Sequence, residues 1–169
     1  MSLTVQTPST PEEIDATRAL IRAFVAWHRA RHQQDLDLIE RYFDAAAFEE
    51  ELADLPQKYG PPDGALLLAT LDGERAGCVA LHRIDATTCE MKRMFVRPDM
   101  HGRGIGRALA DTILGEARRL GYSSMVLDTS VRQKEAQSLY RRLGFEPTEP
   151  YYDMPDDVRD WLVFMRRDL

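Results

Sequence analysis

The hydrophobic residues between positions 105 and 120 repeat with the period of a helix. Apolar side chains recur about every four residues, which places them on one face of an α-helix. This set consists of Ile105, Leu109, Ile113, Leu114, Ala117 and Leu120. The pattern predicts an amphipathic helix that packs one face against a core.

Short apolar runs ahead of this helix predict β-strands. Ala65–Leu71 is a buried-strand run, and Asp72-Gly73 after it is a strong hairpin signal with Ala76–Leu81 as the returning strand. A third strand covers Glu90–Val96 and ends before Pro98. Three antiparallel strands before the helix exclude a purely alternating β–α dinucleotide-binding fold.

The ends of the chain predict further elements of both kinds. At the N-terminal end we expect a strand at 3–7, a helix from the Thr10 cap to about 32, a second helix over 36–52 and a loop to Gly64. Beyond the central helix we expect a strand at 123–128, a helix at 133–142, a strand beginning at 144, an irregular proline- and acid-rich segment at 147–160 and a last strand at 161–165.

Composition narrows the class of protein. A chain of 169 residues is expected to form one domain, 1–169, and a net charge of −6 argues against nucleic acid as the main partner. No apolar run reaches the roughly 18 residues of a membrane span, and no signal peptide is visible, so we expect no membrane partner and a cytoplasmic location.

Two pairs of residues have spacings that could suggest a disulfide and a metal site, but a simpler interpretation is favoured for each. Cys78 and Cys89 lie in adjacent predicted strands and are expected to be buried thiols rather than a disulfide. His28 and His32 have the spacing of two metal ligands on a helix, but neither a glutamate between them nor a third ligand accompanies them. We interpret them as a basic, solvated helix end and expect no metal. Nearby aromatic residues are expected to pack in the core rather than form a substrate cage: Trp27, Tyr42, Phe43 and Phe48.

The segment His101–Gly106, between the third strand and the central helix, predicts an anion site. Glycines at alternate positions allow a tight turn, and free N–H groups at the helix start attract phosphate. Arg103 and Arg107 add positive charge. The spacing fits neither the nucleoside-triphosphate loop nor the dinucleotide loop, so a different diphosphate cofactor is expected.

This segment resembles the acyl-CoA loop of the GCN5-related N-acetyltransferases, the GNAT superfamily, with His101 in place of the usual Gln or Arg. Two further blocks, Glu90 to Pro98 and Ala136 to Phe145, are similar to the superfamily's strand before the loop and to its C-terminal signature. The resemblance covers about residues 65 to 146. Gln133 stands where many members have Asn, which puts one polar contact in question.

The resemblance implies an α/β (α+β) fold with a mixed, mostly antiparallel central sheet of about seven strands flanked by about four helices. It also implies acetyl-CoA as cosubstrate, without a metal, and a bulged strand that separates from its neighbour and frees backbone donors. The implied cofactor-binding residues are Met94, Phe95, Val96, His101, Gly102, Arg103, Gly104, Ile105, Gly106, Arg107, Gln133, Ala136 and Tyr140.

Two residues are expected to carry the chemistry. An alkyl amine has a pKa near 10 and must lose a proton before attack. Glu90 matches the family's base, with Asp128 and acids of the second predicted helix as reserves; the alternative is a strand residue paired with Lys92 or Arg93. Tyr140 matches the group that donates a proton or a hydrogen bond to the departing thiolate, and its alternative is core packing.

The resemblance further implies direct attack in a ternary complex, without a covalent cysteine. The acceptor is expected to be a primary amine, first of a small molecule and alternatively of a protein or peptide. A non-catalytic acyl-CoA-binding regulatory module is the rival from another class, and acylation of charged tRNA fits the acidic composition less well. A homodimer is an open possibility within the family.

Overall fold

The computed structural model describes all residues, 1–169, and contains one seven-stranded sheet with the order β1-β2-β3-β4-β5-β7-β6. The strands are β1 Leu3–Gln6, β2 Ala65–Leu71, β3 Glu74–Arg83, β4 Thr88–Val96, β5 Ser124–Ser130, β6 Glu146–Pro147 and β7 Leu162–Asp168. All neighbouring pairs are antiparallel except β4 and β5, which are parallel. The predicted mixed, mostly antiparallel α/β fold is therefore confirmed.

Seven α-helices accompany the sheet, which is more than the four expected. They are α1 Pro11–Arg31, α2 Leu36–Tyr42, α3 Ala45–Ala53, α4 Leu55–Lys58, α5 Ile105–Arg119, α6 Lys134–Arg142 and α7 Asp156–Trp161. The single helix predicted over 36–52 is wrong, because the chain leaves helical geometry at Phe43 and Asp44. The Asp44 side chain then caps α3 by accepting a hydrogen bond from the Ala47 N–H at 3.0 Å. Helix α7 occupies the end of the segment predicted to be irregular and includes Trp161, which was predicted to begin the last strand.

The core lies on both faces of the sheet. Helix α5 covers one face with the predicted apolar stripe, and Ile105, Leu109 and Ile113 are almost completely buried there. Helices α1, α3 and α4 contribute to the other face through residues such as Ile21, Leu52 and Leu55, which are also buried. Cys78 and Cys89 are buried free thiols, as expected. None of the helices combines the length and apolar character needed to span a bilayer.

The predicted solvated helix end at His28 and His32 is wrong, because both imidazoles are buried at the C-terminal end of α1. They pack against each other and against aromatic rings, among them Phe24 and Trp27. Burial, with the nearby charges of His32 and Arg31, lowers the pKa of His28 to about 4, so that this ring is neutral at pH 7. No cluster of three or more His, Cys, Asp or Glu side chains in the structure could hold a metal ion.

Candidate active site

Strands β4 and β5 separate in the middle of the sheet. Their parallel pairing runs only from Thr88, opposite Ser124, to Glu90, opposite Val126. On its other side β4 is bulged against β3, where the register shifts between Cys78 and Ala80. Arg93, in the bulge, has a φ of 58°, a left-handed conformation that disfavours residues other than glycine. The backbone of residues 91–96 is therefore open toward a gap between the two strands.

The glycine loop adopts the geometry that its sequence predicts. Gly102 and Gly104 have φ angles of 79° and 78°, and no atom lies within 4 Å of the position of an added Cβ on either residue. Gly104 is the N-cap of α5 and provides no side-chain hydrogen bond to the first turn. Free N–H groups at the start of this helix are consequently available to an anion. His101 holds the loop against β4 through a hydrogen bond between Nε2 and the Val96 carbonyl oxygen at 2.9 Å.

A cleft of about 410 Å³ follows the loop and is called the acyl-CoA cleft below. It unites most of the predicted cofactor-binding residues: Met94, Phe95, Val96, His101, Gly102, Gly104, Ile105, Gly106, Arg107, Gln133 and Ala136. Arg103 is exposed in the loop and does not line the cleft, and Tyr140 lies deeper. Gly106 packs beside Leu139, and a Cβ added to it would make an ordinary van der Waals contact with Leu139 Cδ2 at 3.5 Å.

Gln133, the residue found in place of the family's Asn, lies at the turn from β5 into α6. Its Oε1 accepts hydrogen bonds from Thr129 Oγ1 at 2.6 Å and from the Ser130 N–H at 3.1 Å. The side chain therefore fixes this turn with its oxygen and retains its amide N–H groups for a ligand in the acyl-CoA cleft.

A small cavity of about 50 Å³, called the central cavity, fills the gap between β4 and β5. It shares Met94 and Gln133 with the acyl-CoA cleft, and both Tyr140 and Asp128 line it. The Tyr140 hydroxyl makes no hydrogen bond to another protein group. Burial and the charge of Asp128 raise the pKa of Tyr140, so this hydroxyl keeps its proton at neutral pH.

A third cleft, of about 580 Å³, borders the central cavity and is called the acceptor cleft. It shares Tyr42, Lys92 and Arg93 with the central cavity. Residues 151–155, from the segment between β6 and α7, form a wall of this cleft, and Glu90 also lines it. Both clefts thus border the central cavity through shared lining residues at the gap in the sheet.

Glu90 is only 5% exposed, and both of its carboxylate oxygens are engaged. Oε1 lies 2.6 Å from His82 Nε2 and 3.9 Å from Lys92 Nζ, and Oε2 accepts a short hydrogen bond from the Tyr151 hydroxyl. Burial by itself would raise the pKa of Glu90, but its contacts with His82, Lys92 and Tyr151 outweigh burial and lower the pKa. The expected pairing with Lys92 is present beside these contacts, whereas Arg93 pairs elsewhere.

Two tyrosines that are not among the predicted site residues hold Asp128. Oδ1 accepts from the Tyr42 hydroxyl at 2.5 Å and Oδ2 from the Tyr152 hydroxyl at 2.6 Å, while Lys92 Nζ donates to the Tyr42 oxygen at 3.3 Å. The only local signal for these contacts is the Tyr151-Tyr152 pair within the segment predicted to be irregular. Tyr42 had been expected to pack in the core.

Comparison with known proteins agrees with this geometry. The sequence model of the Acetyltransferase (GNAT) family matches residues 18–145. An N-acetyltransferase of Schizosaccharomyces pombe is 36% identical over 156 residues, which cover 91% of this chain and 89% of that protein. N-acetylaspartate synthetase of Danio rerio is 35% identical over 127 residues, which cover 72% of this chain and 45% of that protein.

Solved structures show the same fold. PaiA N-acetyltransferase of Thermoplasma acidophilum, in complex with coenzyme A, has a TM-score of 0.72 at 18% identity, and the match covers 100% of both chains. A GNAT family acetyltransferase of Elizabethkingia anophelis with acetyl-CoA bound has a TM-score of 0.62 at 18% identity, covering 99% of this chain and 97% of that chain. The fold and the family match define an acyltransferase of the N-acetyltransferase class. The chain belongs to the GNAT family.

Proposed function

We propose that the chain, as a single domain of residues 1–169, transfers the acetyl group of acetyl-CoA to a primary amine of a small molecule. The observation that carries this proposal is the adjacency of three spaces: the acyl-CoA cleft and the acceptor cleft each share lining residues with the central cavity between β4 and β5. A thioester entering from one side and an amine entering from the other meet there. This arrangement supports direct attack in a ternary complex.

The acyl-CoA cleft is suited to a diphosphate followed by an extended amide-bearing arm. The loop N–H groups and the first turn of α5 hold the diphosphate, with charge from Arg103 and Arg107. Backbone groups of Met94, Phe95 and Val96, on the side of β4 that β5 leaves unpaired, hold the arm and polarise the thioester carbonyl. Acetyl-CoA supplies an activated acyl group, so the protein has only to position it, remove a proton from the amine and stabilise the departing thiolate.

Glu90 is proposed to take the proton from the amine. Its lowered pKa keeps it ionised at neutral pH, as a base requires. Since His82 and Tyr151 already occupy its two oxygens, the proton reaches Glu90 through the Tyr151 hydroxyl or through water. Asp128 lines the central cavity and remains the second candidate for this role.

Tyr140 is proposed to hydrogen-bond to the sulfur as the thiolate departs. A thiol has a pKa near 8.5, far below the raised pKa of the Tyr140 hydroxyl, so complete proton transfer from Tyr140 is unfavourable. A hydrogen bond to a charged acceptor in a buried site nevertheless stabilises the transition state. Its hydroxyl is free to act in this way because no protein group occupies it.

A small-molecule acceptor is supported by the shape of the acceptor cleft. Its wall at residues 151–155 is held in place by the hydroxyls of Tyr151 and Tyr152, which bind the Glu90 and Asp128 carboxylates. An amine that enters the cleft must pass beside this wall, which suits a compact molecule better than a folded protein. The name of the Danio rerio relative, N-acetylaspartate synthetase, also indicates a small acceptor for that enzyme.

The test begins with calorimetric titration of the purified protein with acetyl-CoA and CoA, using NAD and ATP as controls. A thiol-release assay then compares small primary amines with peptides that carry a free N-terminus or lysine. Reactions without an amine give the rate of hydrolysis. We expect one CoA or acetyl-CoA site per chain, and amine-dependent release with some of the small molecules.

Each failure has a distinct meaning. If folded protein binds neither CoA nor acetyl-CoA, the acetyltransferase proposal is overturned. If thiol release occurs only with peptides, the acceptor class is wrong while the reaction stands. If acetyl-CoA binds but neither panel gives release above hydrolysis, the protein is a binding module instead.

A further inference from the structure

Arginine side chains in this chain differ in whether a carboxylate accompanies them. The chain is acidic, with a net charge of −6, and most of its arginines lie within ion-pair distance of an aspartate or glutamate. The arginines without such a partner are Arg103, Arg118, Arg141, Arg142 and Arg167. Because no carboxylate lies within ion-pair distance of these guanidinium groups, their charge is available to an anionic ligand.

Three of these unpaired residues lie together. Arg118, Arg142 and Arg167 join Arg107 in lining one surface cleft of about 370 Å³, called the arginine cleft below. Asp111 is the only acidic residue that lines it, and it is paired with Arg107 at 3.0 Å. The arginine cleft therefore keeps a strong positive charge that no protein group neutralises.

The arginine cleft adjoins the acyl-CoA cleft. Arg107 and Arg142 line both spaces. Arg142 donates one hydrogen bond, to Ser138 Oγ at 2.9 Å, which leaves most of its guanidinium fork free. The Arg167 side chain passes over Gly144, two residues beyond Arg142, with its Nε 3.6 Å from the place where a Gly144 Cβ would be. Arg142 and Arg167 thus border one end of the same positive space.

We propose that the arginine cleft binds the ribose 3′-phosphate of coenzyme A, an inference that rests on the proposed function. Coenzyme A carries a diphosphate and, beyond it, a phosphate monoester on the ribose. The glycine loop accounts for the diphosphate only. A phosphate monoester carries a charge of about −1.5 to −2 at pH 7, and arginine forks bind such groups through paired, charge-assisted hydrogen bonds.

The contact is assigned to Arg142 and Arg167, with Arg107 at the junction of the two clefts. Arg118 lies three helical turns beyond Arg107 along α5, roughly 16 Å away, and is too distant to share the same phosphate. An acidic macromolecule is the other kind of ligand for a positive cleft. The net negative charge of the chain opposes such a partner, and the arginines that the cleft shares with the acyl-CoA cleft favour the smaller ligand.

The experiment compares CoA with 3′-dephospho-CoA, which lacks only this phosphate, by calorimetric titration. The intact wild-type protein is expected to bind CoA at least about 10-fold more tightly than dephospho-CoA. The Arg142→Ala/Arg167→Ala variant should lose this preference, because its affinity for CoA falls to that for dephospho-CoA while the latter stays nearly constant. Arg141→Ala is the matched control, since Arg141 is the unpaired neighbour that does not line the cleft, and it should keep the wild-type preference.

The outcomes separate this inference from the proposed function. Equal affinity of the wild type for CoA and dephospho-CoA would overturn the 3′-phosphate site and leave the acetyltransferase proposal standing. The inference also fails if the double variant keeps the preference for CoA, or if Arg141→Ala abolishes it. Binding of neither ligand by folded wild-type protein would overturn the proposed function and this inference together.

Discussion

Arg93 and Glu51 form a buried, two-point ion pair that joins the bulge of β4 to helix α3. Arg93 Nε lies 2.8 Å from Oε2 of Glu51, and Arg93 Nη2 lies 2.9 Å from Oε1 of Glu51. Lys58, at the end of α4, adds a contact to Oε1 at 3.0 Å. Because Arg93 lines both the central cavity and the acceptor cleft, this pair fastens the helices on the acceptor side to the strand proposed to bind the thioester.

Glu51→Gln is expected to lower the free energy of unfolding by about 3–5 kcal/mol, because it leaves the Arg93 charge buried without its carboxylate. Urea unfolding monitored by circular dichroism measures this change. The control is Glu49→Gln, two residues away, whose partner Arg22 and own side chain are both more than half exposed. That exposed pair should contribute less than about 1 kcal/mol. Similar losses in both variants would contradict the special importance of the buried pair.

The same pair makes stability depend on pH. Burial acts to raise the pKa of Glu51, but Arg93 and Lys58 outweigh it and lower the pKa from 4.5 to about 2. A lowered folded-state pKa means that the stabilisation is complete above about pH 4.5 and is lost as the pH falls toward 2, with a total of about 3 kcal/mol. Urea unfolding at pH 6, 4 and 3 should therefore show a steeper loss in the wild type than in Glu51→Gln. Parallel pH profiles would contradict this assignment.

The parts of the fold that depend on local pattern could be predicted from the sequence. The run Ala65–Leu71 is the strand β2 with the same bounds, and the periodic apolar positions after Gly104 are the buried face of α5. The break at Phe43 and Asp44 could not be predicted from periodicity, because apolar residues continue across it. His28 was misjudged for a related reason: its basic neighbours suggested solvent, whereas aromatic rings from α1 and from distant residues enclose it.

One part of the candidate site could likewise be predicted from the sequence, and another part could not. Residues of the glycine loop are consecutive, so their motif alone indicated the anion site. The contacts of Glu90 and Asp128 depend on Tyr151 and Tyr152, from a segment whose path across the acceptor cleft no local pattern specifies. The pairing of Arg93 with Glu51 was likewise hidden, since the two residues are 42 positions apart and meet only when the helices cover the bulge.

Glu90→Gln tests the proposed base. We expect kcat for amine acetylation at pH 7 to fall by roughly 10²–10⁴-fold, since the amine must lose its proton without an enzymatic base. Raising the pH toward 10 supplies neutral amine and should restore part of the rate. The pH profiles of kcat and kcat/KM check this. If the pH profile of the variant ran parallel to that of the wild type, Glu90 would not be the base, whatever the size of the rate loss.

Asp128→Asn is the matched comparison for Glu90, because it neutralises the other carboxylate of the same site, which the hydroxyls of Tyr42 and Tyr152 hold. If Glu90 is the base, Asp128→Asn should reduce the rate less and should show no rescue at high pH. The opposite ranking, with rescue confined to Asp128→Asn, would transfer the role of base to Asp128.

Tyr140→Phe tests the hydrogen bond to the departing thiolate. Loss of a hydrogen bond to a charged group costs about 1.5–3 kcal/mol, so kcat should fall by roughly 10- to 100-fold while acetyl-CoA affinity remains near that of the wild type. Tyr122→Phe is the control. The Tyr122 hydroxyl donates a hydrogen bond to the Asp63 carbonyl oxygen at 2.6 Å, and Tyr122 lines none of the clefts. Equal loss of affinity and turnover in Tyr140→Phe would indicate a packing role instead.

Gly104→Ala tests the loop as the phosphate cradle. An alanine Cβ would meet no atom within 4 Å, so the effect comes from the left-handed φ of 78° and should cost about 1–2 kcal/mol. Because this residue caps α5, the strain falls on the loop, and we expect acetyl-CoA to bind about 10-fold more weakly or worse in calorimetry.

Gly115→Ala is the control in the same helix. A Cβ added to Gly115 also meets no atom, and Gly115 has no positive φ. This substitution should therefore stabilise the protein by about 0.5–1 kcal/mol without changing affinity. If Gly104→Ala bound acetyl-CoA as tightly as Gly115→Ala does, the diphosphate would have to be held elsewhere in the acyl-CoA cleft.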